Sequence, residues 1–174
     1  FITAMDTNPL TADAEVIINA EAEAFELGMK AVKKLAPKTY LCVKGGSSVK
    51  AVDGVEKKEF SGPHPAGLVG THIHFVDPVG EKKFVWHMGY QDVIAIGHLV
   101  KTGKLYTKRI IAVAGPEAKN PRLITTRLGA NLSEVLKDEV KSENVRVISG
   151  SVFGGRHADG VFGYLGRFHN QISL

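Results

Sequence analysis

Apolar side chains recur at three- and four-residue steps over residues 13–36. Ile17, Ala20, Ala24, Leu27, Gly28, Ala31, Val32 and Leu35 share one side, while Glu21, Glu23, Glu26, Lys30 and Lys34 face elsewhere. That period predicts a single amphipathic helix. The turn and cap residues Asp6-Thr7-Asn8-Pro9 introduce it, and Pro37 ends it. Residues 1–4 before the helix and 39–43 after it are short apolar runs, the kind that becomes a strand covered on both faces. Residues 47–63 are polar and broken by Gly54, Gly62 and Pro63, which predicts a surface connection.

Residues 65–76 fit a helix or a strand. Residues 84–88 predict a strand, 91–101 a helix with Val93, Ile96, Gly97 and Val100 on one face, and 110–114 another strand. Strand and helix patterns alternating over 1–115 predict crossover units and a mostly parallel, doubly wound α/β sheet. The rhythm then changes. A strand at 122–127, a short helix at 131–137 and a strand at 145–148, with Gly129 and Gly150 at the corners, predict a small α+β module. The seam is expected between Gly115 and Pro121, giving domains 1–115 and 116–174.

The chain has 174 residues, enough for one ordinary domain or two small ones. With 44% hydrophobic and 23% charged residues it is expected to fold around a core rather than stay disordered. The net charge of +4 comes from lysines interleaved with glutamates and includes no long basic run, which gives no sign of a nucleic-acid partner. Cys42 is the only cysteine, so neither an internal disulfide nor a four-thiolate metal site can form, and a reducing compartment fits best. No apolar run approaches the roughly 18–20 residues of a membrane-spanning helix. Strand-like sequence reaches both termini, which suggests a piece of a longer chain.

The densest chemistry lies in His64-Pro65-Ala66-Gly67-Leu68-Val69-Gly70-Thr71-His72-Ile73-His74. On a strand, His72 and His74 would project to one face and, with His64, could hold the zinc of a metal-dependent hydrolase. On a helix the two would point about 200° apart and serve as capping, packing or partner-contact residues. Two glycine-rich turns, Lys44-Gly45-Gly46-Ser47-Ser48 and Ser149-Gly150-Ser151-Val152-Phe153-Gly154-Gly155, could offer amides to a phosphate, but neither matches the dinucleotide fingerprint or the P-loop. Ser47, Ser61, Ser149 and Cys42 lack the strained elbow of a hydrolase nucleophile. Trp86, Phe153 and Phe162 are expected in the core, with a flat ligand site or partner surface as the alternative.

Six stretches in order resemble one family. They are residues 1–10 (Phe-Ile-Thr-Ala-Met-Asp-Thr-Asn-Pro-Leu), Gly62-Pro-His-Pro-Ala-Gly-Leu68, Gly70-Thr-His-Ile-His-Phe75, Gly89-Tyr-Gln-Asp-Val93, Arg146-Val-Ile-Ser-Gly-Ser151 and residues 164–171 (Tyr-Leu-Gly-Arg-Phe-His-Asn-Gln). The chain is similar to the A subunit of the bacterial Na+-translocating NADH:quinone oxidoreductase. The family is in turn similar to the flavin-binding subunit of respiratory complex I and to the C subunit of the Rnf complex.

The resemblance implies a Rossmann-like domain followed by a soluble-ligand-binding β-grasp domain, and a helix beginning within 64–75. It implies a non-redox scaffold, peripheral on the cytoplasmic side of the inner membrane, with the other subunits of the complex as partners. FAD, FMN, riboflavin and iron–sulfur centres are expected in those partners, ubiquinone is the associated substrate, and no cofactor is expected in this chain. Asp6, Asn8, Gly67, His64, His72 and His74 match the family's distinctive stretches and are the candidate ligand or partner contacts. The competing readings are the metal-dependent hydrolase built on His64, His72 and His74, and a free-standing β-grasp binder of a small ligand.

Overall fold

A computed structural model describes residues 1–174, which divide into two compact units. The first comprises Phe1–Thr7 and Asp13–Tyr106, the second Asn8–Ala12 and Thr107–Leu174.

In the first unit, β1 (Ile2–Ala4) leads to α1 (Ala14–Ala20), α2 (Ala22–Val32), β2 (Tyr40–Lys44), β3 (Glu56–Phe60), α3 (Val69–Val76), β4 (Met88–Gly89) and α4 (Tyr90–Thr102). The four strands form one parallel sheet in the order β3-β2-β1-β4. Ile2, Leu41, Cys42 and Val43 are fully buried in its two central strands, which is why those runs read as continuously apolar. Burial pushes the Cys42 thiol up to about 11, which leaves it a protonated core side chain at neutral pH.

The helix expected over 13–36 is two helices. Glu21 leaves helical geometry (φ −126°, ψ 33°), and its carboxylate accepts from Tyr106 Oη at 3.1 Å and lies 2.9 Å from His98 Nε2. A polar anchorage from 77 and 85 residues away thus sits at the break, and local periodicity carries no sign of it. Ala20 and Leu35 are exposed, and α2 buries Ala24, Phe25, Gly28, Met29 and Val32 instead. That face packs on α4 through two glycines. A Cβ on Gly28 would lie 2.0 Å from the Val93 carbonyl oxygen, and one on Gly97 would lie 1.8 Å from that of Ala24. The backbones can cross this closely only because both positions lack a side chain.

Two further expectations change. Residues 56–60, expected in a surface connection, form the edge strand β3, registered with Tyr40–Lys44. Its sequence, Glu-Lys-Lys-Glu-Phe, has no apolar alternation because an edge strand faces water, and Lys57–Glu59 and Lys58–Glu56 pair along it. The strand expected over 84–88 shrinks to Met88–Gly89, and Trp86 is 84% exposed rather than core. No helix is long and apolar enough to cross a membrane.

The second unit contains β5 (Lys108–Ala114), β6 (Arg122–Arg127), α5 (Leu132–Val135), β7 (Ile148–Ser149), β8 (Arg156–His157), a 3₁₀ turn over Gly160–Phe162 and β9 (Gln171–Ser173). The mixed sheet has the order β6-β5-β9-β7-β8, with β5 and β9 parallel and the remaining pairs antiparallel. Ile111, Val113, Ala118, Leu132, Leu136, Leu165, Ile172 and Leu174 make its core. Asn131 caps α5 by accepting from the Ser133 amide. The strand β5, expected with the preceding α/β domain, hydrogen-bonds into this sheet. The division between the units accordingly falls after Tyr106, ahead of the expected seam near Gly115. Phe153 and Phe162, expected in the core, are 66% and 57% exposed on its loops.

Candidate functional site

In an open parallel sheet, side chains converge beyond the carboxyl ends of the strands, most of all where the winding reverses. With the order β3-β2-β1-β4 that point lies beyond β1 and β4, where the chain continues as Met5-Asp6-Thr7 on one side and Tyr90-Gln91 on the other. Three of the candidate residues meet here. Thr7 Oγ1 accepts from the Gly67 amide at 2.9 Å and lies 3.1 Å from His64 Nδ1. A Cβ on Gly67 would stand 2.6 Å from the Thr7 nitrogen and 2.9 Å from the Asp6 carbonyl carbon, so only glycine lets the segment before α3 lie against the Asp6–Thr7 backbone. Asp6, His64 and Gly67 therefore form one turn-on-turn contact, made from residues about 60 apart in the chain.

Thr7→Val removes the acceptor of the Gly67 amide and the neighbour of His64 while keeping the shape. The expected cost is about 1–3 kcal/mol, the penalty for stranding a partly buried donor, read as a lower urea midpoint.

His72 turns inward. It is fully buried, its Nε2 donates to the Ala66 carbonyl at 2.9 Å, and its ring lies 4.2 Å from that of Phe60. Burial holds its pKa below the usual imidazole value, against a smaller upward effect of the Ala66 hydrogen bond. Its Nδ1 is buried without a hydrogen-bond partner. His74 is exposed, edge-on to Phe75. The segment is the helix α3, and the paired-imidazole arrangement of a strand does not form. His64, His72 and His74 have three separate environments, and nowhere do three His, Cys, Asp or Glu side chains gather as metal ligands. The hydrolase expectation is corrected on this geometry.

The glycine-rich turn after β2 is also taken. Glu15, from α1, accepts from Ser47 Oγ at 2.7 Å and from the Ser48 amide at 3.1 Å, and also hydrogen-bonds Ser48 Oγ. These hydrogen bonds hold its carboxyl below the usual range. A negative side chain thus occupies the amide and hydroxyls that this turn could have offered to an anion. Between α1, α2 and the 48–53 connection lies a cavity of about 500 Å³, floored by Ile18, Phe25, Met29 and Val49.

Asn8, the sixth candidate, belongs to the second unit. Its Oδ1 accepts from Ser151 Oγ at 2.9 Å, and Ser151 Oγ itself accepts from the Phe153 and Gly154 amides. This corner holds a buried polar network that the residue pattern does not reveal. Gln171 Nε2 donates to the Pro9 carbonyl and to Ser173 Oγ, and Ser173 Oγ donates to the Gly150 carbonyl. Next to it, Ser149 Oγ accepts from the Gly166 amide at 2.9 Å and lies 2.8 Å from His169 Nδ1. Burial first, then the Arg156 charge, lowers the His169 pKa, which favours the neutral ring beside the Ser149 hydroxyl. Ser149 has no solvent exposure, so the pair ties β7 to the 164–171 segment and presents no nucleophile. The one available signal is that Ser149 and Gln171, polar residues of β7 and β9, fall inside two of the recognisable stretches.

Comparison with known proteins covers both units. A family model described as the NqrA second alpha/beta domain matches residues 1–105, and one described as the NQRA C-terminal domain matches 110–160. The A subunit of the Na(+)-translocating NADH-quinone reductase of Mannheimia succiniciproducens is 55% identical over 174 residues, which is all of this chain and 39% of that protein. Its counterpart in Pseudomonas aeruginosa is 54% identical over 99% of this chain and 39% of its own length. The chain thus spans about two fifths of these relatives. Among solved structures, an NAD+-reducing [NiFe]-hydrogenase in the H2-reduced state superposes with a TM-score of 0.68 at 12% identity, over 99% of this chain and 39% of the hydrogenase chain. At that identity the likeness concerns the fold alone.

Proposed function

Since the chain belongs to the NqrA family, the A subunits of the Na(+)-translocating NADH-quinone reductases, we propose that it works as a non-redox docking module of such an enzyme. In this reading it sits peripherally on the cytoplasmic side of the inner membrane, held by the other subunits. FAD, FMN, riboflavin and iron–sulfur centres lie in those partners, and ubiquinone is reduced in their company with export of sodium. The observation that carries the reading is how the polar groups at the strand ends are used. Thr7, His64, Gly67 and His72 bond to their own chain, and Glu15 occupies the glycine-rich turn after β2. Side chains committed in this way build a rigid surface, and the chemistry falls to cofactors held elsewhere. A free-standing β-grasp binder is disfavoured, because the models for the two domains match in order along one chain.

The test is reconstitution of a complex lacking NqrA with the full-length protein carrying His64→Ala and His72→Gln, singly and together. Docking predicts that sodium-dependent quinone reduction falls in proportion to the NqrA recovered with the membrane partners. Turnover lost while assembly stays complete would overturn the docking role in favour of direct participation in the reaction.

A further inference from the structure

The first unit carries an aromatic surface that its own core does not use. Phe84 and Trp86 are 91% and 84% exposed, two residues apart on the run that enters β4. Val79 is also exposed, and the bridge between Gly80 and Lys83 closes the turn that separates it from Phe84 in the chain. Glu81, Lys82 and His87, all exposed, flank them along the chain with polar groups. Two open rings and an aliphatic residue flanked by polar ones have the composition of a covered interface centre, and each ring alone would bury roughly 150–250 Å².

Backbone geometry and the family comparison together choose what covers it. The Phe1 nitrogen lies 2.7 Å from the Trp86 carbonyl oxygen, and the Phe1 carbonyl accepts from the Met88 amide at 3.0 Å. The β1–β4 ladder therefore continues beyond the strand pair Ile2 and Met88, and a polypeptide entering β1 in this register runs beside Val85 and Phe84. The family model that matches from residue 1 describes a second α/β domain, and the relatives are much longer than this chain. A domain that precedes a second α/β domain would reach β1 along this ladder, past the residues that carry the open rings. We propose that Val79, Phe84 and Trp86 form the seat for the domain that precedes β1 in the full-length protein. This rests on family membership and not on the docking role, because the contact is internal to one polypeptide.

The experiment uses the isolated full-length protein in dilute solution. With Trp86→p-benzoylphenylalanine, irradiation and peptide mapping are expected to give intramolecular cross-links to residues upstream of Phe1. A dimer-sized product, cross-links to residues after Leu174 instead, or cross-links that form only when the other subunits of the complex are present would each overturn the proposal. Hydroxyl-radical footprinting of the unaltered protein guards against a misfolded variant. Trp86 should oxidise about tenfold more slowly than its openness here implies, since a covered ring loses most of its solvent contact. Oxidation at the rate of an open indole would overturn the proposal as well.

Discussion

Replacing Gly97 by alanine lowers the unfolding free energy of the first unit by about 2–3 kcal/mol, the upper part of the usual cost of overpacking. The added methyl would lie 1.8 Å from the Ala24 carbonyl oxygen and 2.6 Å from its carbonyl carbon. Both are backbone atoms of α2, so no side-chain rotation relieves the clash and the helices must move apart. Alanine is the better helix former by about 1 kcal/mol, and that gain is too small to offset the separation. Gly70→Ala is the control. It also lies in a helix, but nothing stands within 4 Å of its added carbon, so the propensity gain should appear unopposed. Hydrogen exchange of α2 and α4 amides in both variants reads the difference. A Gly97→Ala protein as protected as Gly70→Ala would show that the close crossing does not exist. Gly28→Ala meets the Val93 carbonyl on the same interface, so combining it with Gly97→Ala should cost less than the sum of the two.

Acidification from pH 7 to pH 5 destabilises each unit through one imidazole, fully buried in the first and partly buried in the second. His72 in the first unit and His169 in the second both have folded-state pKa values below the ordinary 6.5, in each case chiefly because burial disfavours the charged ring. The unfolded chain therefore binds the proton first. Stability is complete above pH 6.5 and declines as pH falls below it, until the folded-state pKa is reached. The slope is at most about 1.4 kcal/mol per pH unit for each site. Exposed carboxylates with lowered pKa values, such as Glu23 and Glu59, lose their contribution only at lower pH, below the window from 7 to 5. Urea midpoints followed by exchange at α3 and at β7 separate the two. His72→Gln keeps a donor for Ala66 and removes the titration, so it should flatten the first unit's profile and leave the second unchanged. A first-unit profile that stays flat in the unaltered protein, or rises on acidification, would sink the assignment.

Residue pattern alone does not mark the contact between Asp6–Thr7 and His64–Gly67. The resemblance chose Asp6, His64 and Gly67 from two separate stretches, and the structure brings those stretches together at Thr7. Periodicity could not join them, since 57 residues separate Thr7 from His64. It also could not assign His72 and His74, because the two candidate backbones give opposite arrangements; the resemblance implied the helix, and the fold has it as Val69–Val76. The buried serine, glutamine and histidine network around Ser149, Ser151 and Gln171 was missed for a related reason. Its polar side chains look like loop residues until the strands β7 and β9 are paired and bury them.

By itself the sequence determined what short-range forces determine. The 3.6-residue period marks α2 and α4, Pro37 lies just beyond the first of these, and the left-handed Gly103 closes the second. The apolar runs at β1 and β2 demand a covered sheet, and six ordered stretches are enough to identify the family. Only the tertiary structure decided partnership. It added the charged segment Glu56–Phe60 to a parallel sheet, moved β5 into the second sheet, broke the long helix at Glu21 and left Trp86 on the outside. Backbone conformation is set mostly by neighbours within a turn, whereas strand pairing and burial are set by whichever distant segment supplies the hydrogen bonds and excludes water, and no local pattern names that segment.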